Sequence, residues 1–145
     1  MNNTKKPRVI FLCTGNAARS QMAEALLRKY AGDQFDVHSA GLDPRGIHPL
    51  TTRVMEEVGL DLEGQHAKSL KKYLGNTHFS YLFTVCSNAE ENCPQTFLST
   101  GVHKHWGLED PAAFEGTEEE TLDKFREIRD EIDQRIQSWL AQIEG

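Results

Sequence analysis

Short apolar runs alternate with stretches of three-to-four spacing along this chain. Val9-Ile10-Phe11-Leu12 is unbroken and apolar, which predicts a strand over about Arg8 to Leu12. Met22, Ala23, Leu26, Leu27 and Tyr30 then share one helical face, predicting a helix from about Arg19 to Ala31. A second strand, about Phe35 to Ser39, stops at Ala40-Gly41, and Leu42-Asp43-Pro44-Arg45-Gly46 reads as loop. Leu50, Val54, Met55 and Val58 return to helical spacing, with Gly59 as the stop. Ser69 is placed to cap a short helix through Leu74, ended by Gly75. Tyr81-Leu82-Phe83-Thr84-Val85 is aromatic and β-branched, the composition of a central strand. Val102 to Trp106 is a fourth, shorter strand. Thr117 and Glu120 form a capping box for a long last helix. Its Leu122, Phe125, Ile128, Ile132, Ile136 and Trp139 step at three or four.

Strands that alternate with helices imply an α/β fold. The sheet is expected to be mostly parallel, with about four strands and helices on both faces. Ligands of such sheets sit at the carboxyl ends of the strands. Cys13, Cys86 and the segment before Asp110 all fall at predicted carboxyl ends.

The first of these ends carries the densest chemistry. Cys13-Thr14-Gly15-Asn16-Ala17-Ala18-Arg19-Ser20 runs from strand to helix through a tight loop. Such a loop turns backbone N–H groups inward, where they cradle a tetrahedral oxyanion. The positive end of the helix favours both the anion and a Cys13 thiolate. Gly15 and Asn16 tolerate the left-handed backbone of a tight turn. Arg19 offers paired planar donors to two oxyanion oxygens. Ser20 is expected to donate to the cysteine sulfur. The plain alternative, a small buried cysteine at a strand end, leaves the glycine, asparagine and arginine without a shared purpose.

Length and charge narrow the classes. At 145 residues the chain is read as one domain, 1–145, large enough for a core. A net charge of −6 argues against a nucleic-acid surface. There is no run of 18 apolar residues and no secretory apolar segment, so neither membrane insertion nor export is expected. Three cysteines without metal-type spacing argue against a disulfide framework and for cytoplasmic chemistry.

Cys86 and Cys93 bracket the polar stretch Ser87 to Asn92. Seven residues of helix would hold them about 10 Å apart, whereas a disulfide needs Cα atoms near ~5.5 Å. The pair is either one core and one incidental thiol, or a relay that carries an oxidised bond outward from Cys13. Asp110-Pro111 follows the fourth strand; the carboxyl group either protonates a leaving oxygen or closes an Asx turn. His103 and His105 would share one strand face, but nothing else supplies metal-ligand spacing. His38, His48, His66 and His78 read as surface or satisfied polar residues.

Together these motifs resemble a known family. Cys13 to Ser20 is similar to the anion loop of the low-molecular-weight tyrosine phosphatase fold. Cys86, Cys93, Trp106-Gly107 and Asp110-Pro111-Ala112 narrow the resemblance to the thioredoxin-coupled arsenate reductases built on that fold. Gln21-Met22-Ala23-Glu24, Ser39-Ala40-Gly41 and Phe125 to Ile132 extend it over nearly the whole chain. The resemblance implies a four-stranded parallel sheet of order 2-1-3-4. It also implies that Cys13 attacks arsenate, held by Arg19 and by the loop from Thr14 through Gly15, Asn16, Ala17 and Ala18 to Ser20. Asp110 would act as general acid. Cys86 would release arsenite by attacking Cys13, and Cys93 would take over the disulfide and present it to thioredoxin. No organic cofactor, nucleic acid or membrane is implied, and the chain is expected to act as a monomer.

Two departures stand out. Ala18 occupies the place of a second loop cysteine found in phosphatases of this fold, which weakens a hydrolytic reading. Some reductases of this fold bind potassium near the loop, and Asn16, Glu24 and Ser39 match its ligands. The chain reads Ala67-Lys68-Ser69 where a carboxylate belongs, so no metal is expected. Lys68 either brings its ammonium to that pocket or points to solvent. Two other functions compete with arsenate reduction. A phosphomonoester hydrolase would need neither Cys86 nor Cys93. An oxyanion or redox sensor would need no general acid at Asp110. Glutathione competes with thioredoxin as the reductant.

Overall fold

The computed structural model describes residues 6–73, 77–92 and 101–144. Its strands are β1 (Arg8–Cys13), β2 (Asp36–Gly41), β3 (Tyr81–Thr84) and β4 (Val102–His105). Its helices are α1 (Arg19–Ala31), α2 (Pro49–Glu56), α3 (Ser87–Asn92) and α4 (Glu118–Glu144). Short 3₁₀ turns cover Leu70–Tyr73 and Pro111–Ala113.

All pairings are parallel and the strand order is β2-β1-β3-β4, as the resemblance implies. Val9, Ile10, Phe11 and Leu12 of β1 are all fully buried. Successive strand residues face opposite sides, so both faces of the sheet are covered. On one side Phe11 stacks on its cross-strand partner Phe83, with ring centroids 5.1 Å apart. Trp106 and Trp139 close over Phe83 at 4.5 and 5.0 Å, which seats α4 on the sheet.

Several boundaries differ from the sequence reading. β2 begins at Asp36 and continues through Gly41, which pairs with Cys13. Gly41 is needed there because a Cβ would lie 2.6 Å from the Thr14 carbonyl oxygen. The glycine is therefore the last rung of the strand, where the anion loop comes closest. α2 ends at Glu56, and Val58 is exposed beyond it. Gly59 does stop the helix, at φ +80°, with Leu60 N–H donating to Met55 O at 3.0 Å. Tyr30 is exposed rather than core, and its hydroxyl donates to Asp133 on α4 at 2.6 Å. Ser69 caps its turn through Lys71 N–H at 3.1 Å, while Leu74 and Gly75 lie outside the described residues.

The start of α4 is the expected capping box. Glu120 N–H donates to Thr117 Oγ1 at 3.1 Å, and Thr117 N–H donates to Glu120 Oε1 at 2.9 Å. Farther along, Arg126 and Arg129 of α4 both grip Glu57, just past α2, at 2.7 and 3.0 Å. This clamp holds α2, and with it the wall that begins at His48, against α4.

Candidate active site

The carboxyl end of the sheet opens into a cleft of about 780 Å³. Cys13, Thr14, Gly15, Ala17, Ala18 and Arg19 line its floor. The loop's carbonyls are tied away from the cleft by the segment after β2. Leu42 N–H donates to Cys13 O at 3.1 Å, Asp43 N–H to Thr14 O at 2.8 Å, Arg45 N–H to Gly15 O at 3.0 Å, and His48 N–H to Ala17 O at 3.0 Å. The C=O and N–H of one trans peptide point in opposite directions, so this anchoring turns the N–H edge of the loop toward the cleft. Ala18 sits at the N-cap of α1 and makes no side-chain cap bond. The first-turn amides of α1 thus lack the usual side-chain capping partner.

Asn16 holds the loop in shape. It adopts φ 52°, the left-handed conformation that its residue type tolerates. Gly15 has no positive φ, so the turn falls on one residue rather than two. Asn16 is fully buried and every hydrogen-bonding position of its amide is used. Nδ2 donates to Ser20 Oγ at 2.7 Å and to Ser39 Oγ at 3.0 Å. Oδ1 accepts from Gln21 Nε2 and from Lys68 N–H, both at 2.9 Å. Ser20 Oγ is the acceptor in its bond with Asn16, which does not use the hydroxyl proton that the sequence reading directs to the cysteine sulfur.

Behind Asn16 lies a buried ionic group. Ser39 Oγ donates to the Glu24 carboxylate, which also pairs with Arg28. The Lys68 ammonium sits 3.6 Å from Glu24 Oε1 and its side chain is only 9% exposed. Lys68 therefore does not point to solvent; its ammonium donates to His66 O at 2.9 Å and lies beside Glu24. Burial lowers its pKa below the ordinary lysine value, against the opposing pull of Glu24.

Arg19 and Asp110 meet across the cleft. Arg19 donates to Leu108 O at 3.0 Å, and its second terminal nitrogen lies 3.6 Å from Asp110 Oδ2. Asp110 Oδ1 accepts from Ala112 N–H at 3.0 Å. One Asp110 oxygen thus closes the Asx turn, and the other faces the arginine at the mouth of the cleft.

Cys86 joins this floor from β3. Val85 N–H donates to Leu12 O at 2.9 Å, which sets the two strand ends side by side. Cys13 and Cys86 are both buried and unbonded to each other, and their thiol groups are hydrogen-bonded. Cys86 Sγ lies 3.5 Å from Thr14 Oγ1 and accepts from Ala89 N–H at 3.4 Å. The hydrogen bond from Cys13 lowers the Cys86 pKa to about 5, helped by Thr14, Ala89 and the Arg19 charge against burial. The same bond, with burial, raises the pKa of Cys13. The Arg19 guanidinium, at the start of α1, favours the thiolate form of both sulfurs. Cys93 lies outside the described residues; α3, which leads to it, is helical.

The far wall was not foreseen. Arg45, Ile47 and His48 line the cleft. His48 Nδ1 accepts from Leu50 N–H at 3.1 Å and caps α2, while its ring packs 4.9 Å from Phe125. The available signal was positional: this segment follows the carboxyl end of β2. His105 Nδ1 lies 2.9 Å from Thr84 Oγ1. Among the described residues no three His, Cys, Asp or Glu side chains converge on a metal-sized site. Nor, among those residues, is any helix long and apolar enough to cross a membrane.

Known proteins share this arrangement. The model of the low molecular weight phosphotyrosine protein phosphatase family matches residues 8–145. An arsenate reductase of Halalkalibacterium halodurans is 42% identical over 134 residues, covering 92% of this chain and 95% of that protein. A solved arsenate reductase in the phosphate binding state superposes with a TM-score of 0.79 at 28% identity, over 94% of this chain and 98% of that one. A thioredoxin-dependent arsenate reductase of Corynebacterium glutamicum gives 0.74 at 31% identity, over 99% of this chain and 64% of that one. This chain belongs to the low molecular weight phosphotyrosine protein phosphatase family, among relatives that are arsenate reductases.

Proposed function

We propose that the protein reduces arsenate to arsenite through a cysteine relay that thioredoxin regenerates. The observation that carries this reading is the Cys13–Cys86 pair on the floor of an oxyanion cleft. Hydrolysis of a phosphomonoester has no use for the second thiol.

In this reading the N–H edge of the loop and Arg19 hold the arsenate oxygens. The Cys13 sulfur attacks arsenic, its proton passing to the Cys86 sulfur that it already contacts. One arsenate oxygen leaves as water with a proton from Asp110. Asp110 is half exposed and is recharged from solvent. Cys86 passes that proton to an arsenic-bound oxygen of the adduct and attacks the Cys13 sulfur. A Cys13–Cys86 disulfide forms and the S–As bond breaks. Its electron pair returns to arsenic, which departs as arsenite, reduced by two electrons. A Cys93 thiolate then attacks the Cys86 sulfur and frees Cys13. The dithiol of thioredoxin supplies two electrons to the Cys86–Cys93 disulfide. All three cysteines lie on one chain, so a monomer suffices, and the reduced resting thiols suit the cytoplasm. The support for Cys93 is its place in the sequence, and the support for thioredoxin is the similarity to the Corynebacterium enzyme.

Single-turnover mass spectrometry without reductant tests the scheme. Wild type should release arsenite and lose two thiols to a disulfide. Cys86→Ser should stall as an arsenic adduct on Cys13, and Cys13→Ser should form neither. Arsenite release by Cys86→Ser at the wild-type rate would refute it.

A further inference from the structure

Asn88 stands in the polar stretch after Cys86, with no motif of its own. Its side chain nevertheless reaches the floor of the cleft, where Nδ2 lies 2.8 Å from Thr14 Oγ1. The direction of this bond follows from its neighbours. Asn92 Nδ2 lies 2.9 Å from the Asn88 backbone carbonyl oxygen and 2.8 Å from Asn88 Oδ1. A carbonyl only accepts, so the Asn92 atom there must be the amide nitrogen. The Asn88 atom facing that nitrogen must then be its oxygen. What Asn88 presents to Thr14 is therefore a nitrogen, which only donates. Thr14 Oγ1 is thus an acceptor from Asn88, and its own proton is left for the Cys86 sulfur, 3.5 Å away.

We propose that Asn88 is a positioning residue that orients the Thr14 hydroxyl, so that its proton is directed onto the Cys86 sulfur. The chain of donors runs Asn92, Asn88, Thr14, Cys86, and each amide acts only on the next group. Cys86 is also faced by the Cys13 thiol from β1, by the Arg19 charge from α1 and by the Ala89 N–H of α3. Across the same cleft stands Asp110, whose carboxylate is turned to Arg19. Asn88 and Asn92 belong to α3, the segment that must rearrange if Cys86 is to bond Cys93. Unwinding α3 withdraws both the Asn88 donor and the Ala89 N–H. The apparatus that sharpens Cys86 as a nucleophile therefore exists only while α3 is helical. It is dismantled when the sulfur is next to be attacked rather than to attack. The inference uses the reading of Cys86 as the second nucleophile, but its test does not depend on turnover.

The test is the pH dependence of alkylation in a Cys13→Ser, Cys93→Ser chain, where Cys86 is the remaining thiol. Iodoacetamide reports the thiolate fraction directly. Asn88→Ala should raise the midpoint by about half to one pH unit, a roughly three- to tenfold loss of rate below the midpoint. Asn88→Asp keeps the shape but presents an acceptor to Thr14, turning the hydroxyl proton away from the sulfur. It should raise the midpoint further, and it keeps the question open to measurement if alanine loosens α3. In a Thr14→Val background neither change at Asn88 should shift the midpoint again, while Thr14→Ser should preserve the dependence. An unmoved midpoint in both Asn88 variants would overturn the proposal, as would a shift that survives undiminished in Thr14→Val. Arsenite release, measured separately, reports on the proposed reaction and not on this assignment.

Discussion

Replacing Asn16 probes the cradle most sharply, because this residue combines an unusual backbone with a fully used side chain. Asn16→Ala removes four side-chain hydrogen bonds. At about 1 kcal/mol each they would sum to roughly 4 kcal/mol, but the partners differ in what they lose. Gln21 Nε2 keeps the Asn16 and His66 carbonyls at 3.0 and 3.1 Å, and Ser39 keeps Glu24. Lys68 N–H is left without this acceptor, at a cost of about 1–3 kcal/mol. Alanine at φ 52° adds about 1 kcal/mol of backbone strain that asparagine largely escapes. The sum is a loss of about 2–4 kcal/mol. Asn16→Gly loses the same bonds but tolerates the backbone, and should be about 1 kcal/mol more stable than the alanine variant. Urea unfolding of the reduced proteins, with equal slopes, measures both differences. Protection by inorganic phosphate should weaken in step, since the loop amides lose their fixed direction. An alanine variant within about 1 kcal/mol of wild type would refute the reasoning. So would a glycine variant no more stable than alanine.

Other consequences follow from the clamp, the buried lysine and α3. Arg126 and then Arg129 hold the Glu57 carboxyl down to about 2, below its ordinary value of 4.5. A depressed carboxyl stabilises the fold above its unfolded pKa and loses that contribution as pH falls through the folded value. Glu57→Gln should therefore cost about 1 kcal/mol at neutral pH, discounted for solvent screening, and nothing below about pH 2. Paired denaturant melts across that range check it, and a pH-independent difference would contradict it. The Lys68 ammonium already neutralises Glu24, and a second cation at ~4 Å would meet about 4 kcal/mol of repulsion at an effective dielectric of 20. Thermal midpoints in matched potassium and sodium chloride should thus coincide, and a potassium-specific rise would contradict the placement. Oxidation of Cys86 and Cys93 should speed amide exchange across Ser87 to Asn92, and equal protection in both redox states would contradict the need for α3 to rearrange.

What the sequence disclosed was local. The anion loop was legible because nucleophile, turn residue and arginine fall within eight positions, and the capping box because Thr117 and Glu120 are three apart. The β2 end was misplaced because Ala40-Gly41 carries an ordinary stop signal. Only the approach of the Thr14 carbonyl shows why the glycine continues the strand. Asn16 was recognised as a turn residue, but its partners Ser39 and Lys68 are distant in sequence. Lys68 could be brought near the pocket only by resemblance, and its pairing with Glu24 needed the fold. His48 and Asn88 have no periodic or motif signal at all. Each matters through one hydrogen bond to a group that another segment supplies. The coupling of Cys13 to Cys86 was likewise invisible, since it depends on two strand ends lying side by side.

The central claim is that this cleft spends two thiols to reduce an oxyanion. Its most direct test is arsenate-dependent oxidation of NADPH in the presence of thioredoxin and thioredoxin reductase, run beside a phosphomonoester assay on wild type and Cys86→Ser. The account predicts sustained arsenate-dependent oxidation by wild type, none by Cys86→Ser, and any phosphomonoester hydrolysis unaffected by the serine. Vigorous phosphomonoester hydrolysis with no arsenate-dependent oxidation, or equal oxidation by both proteins, would contradict it.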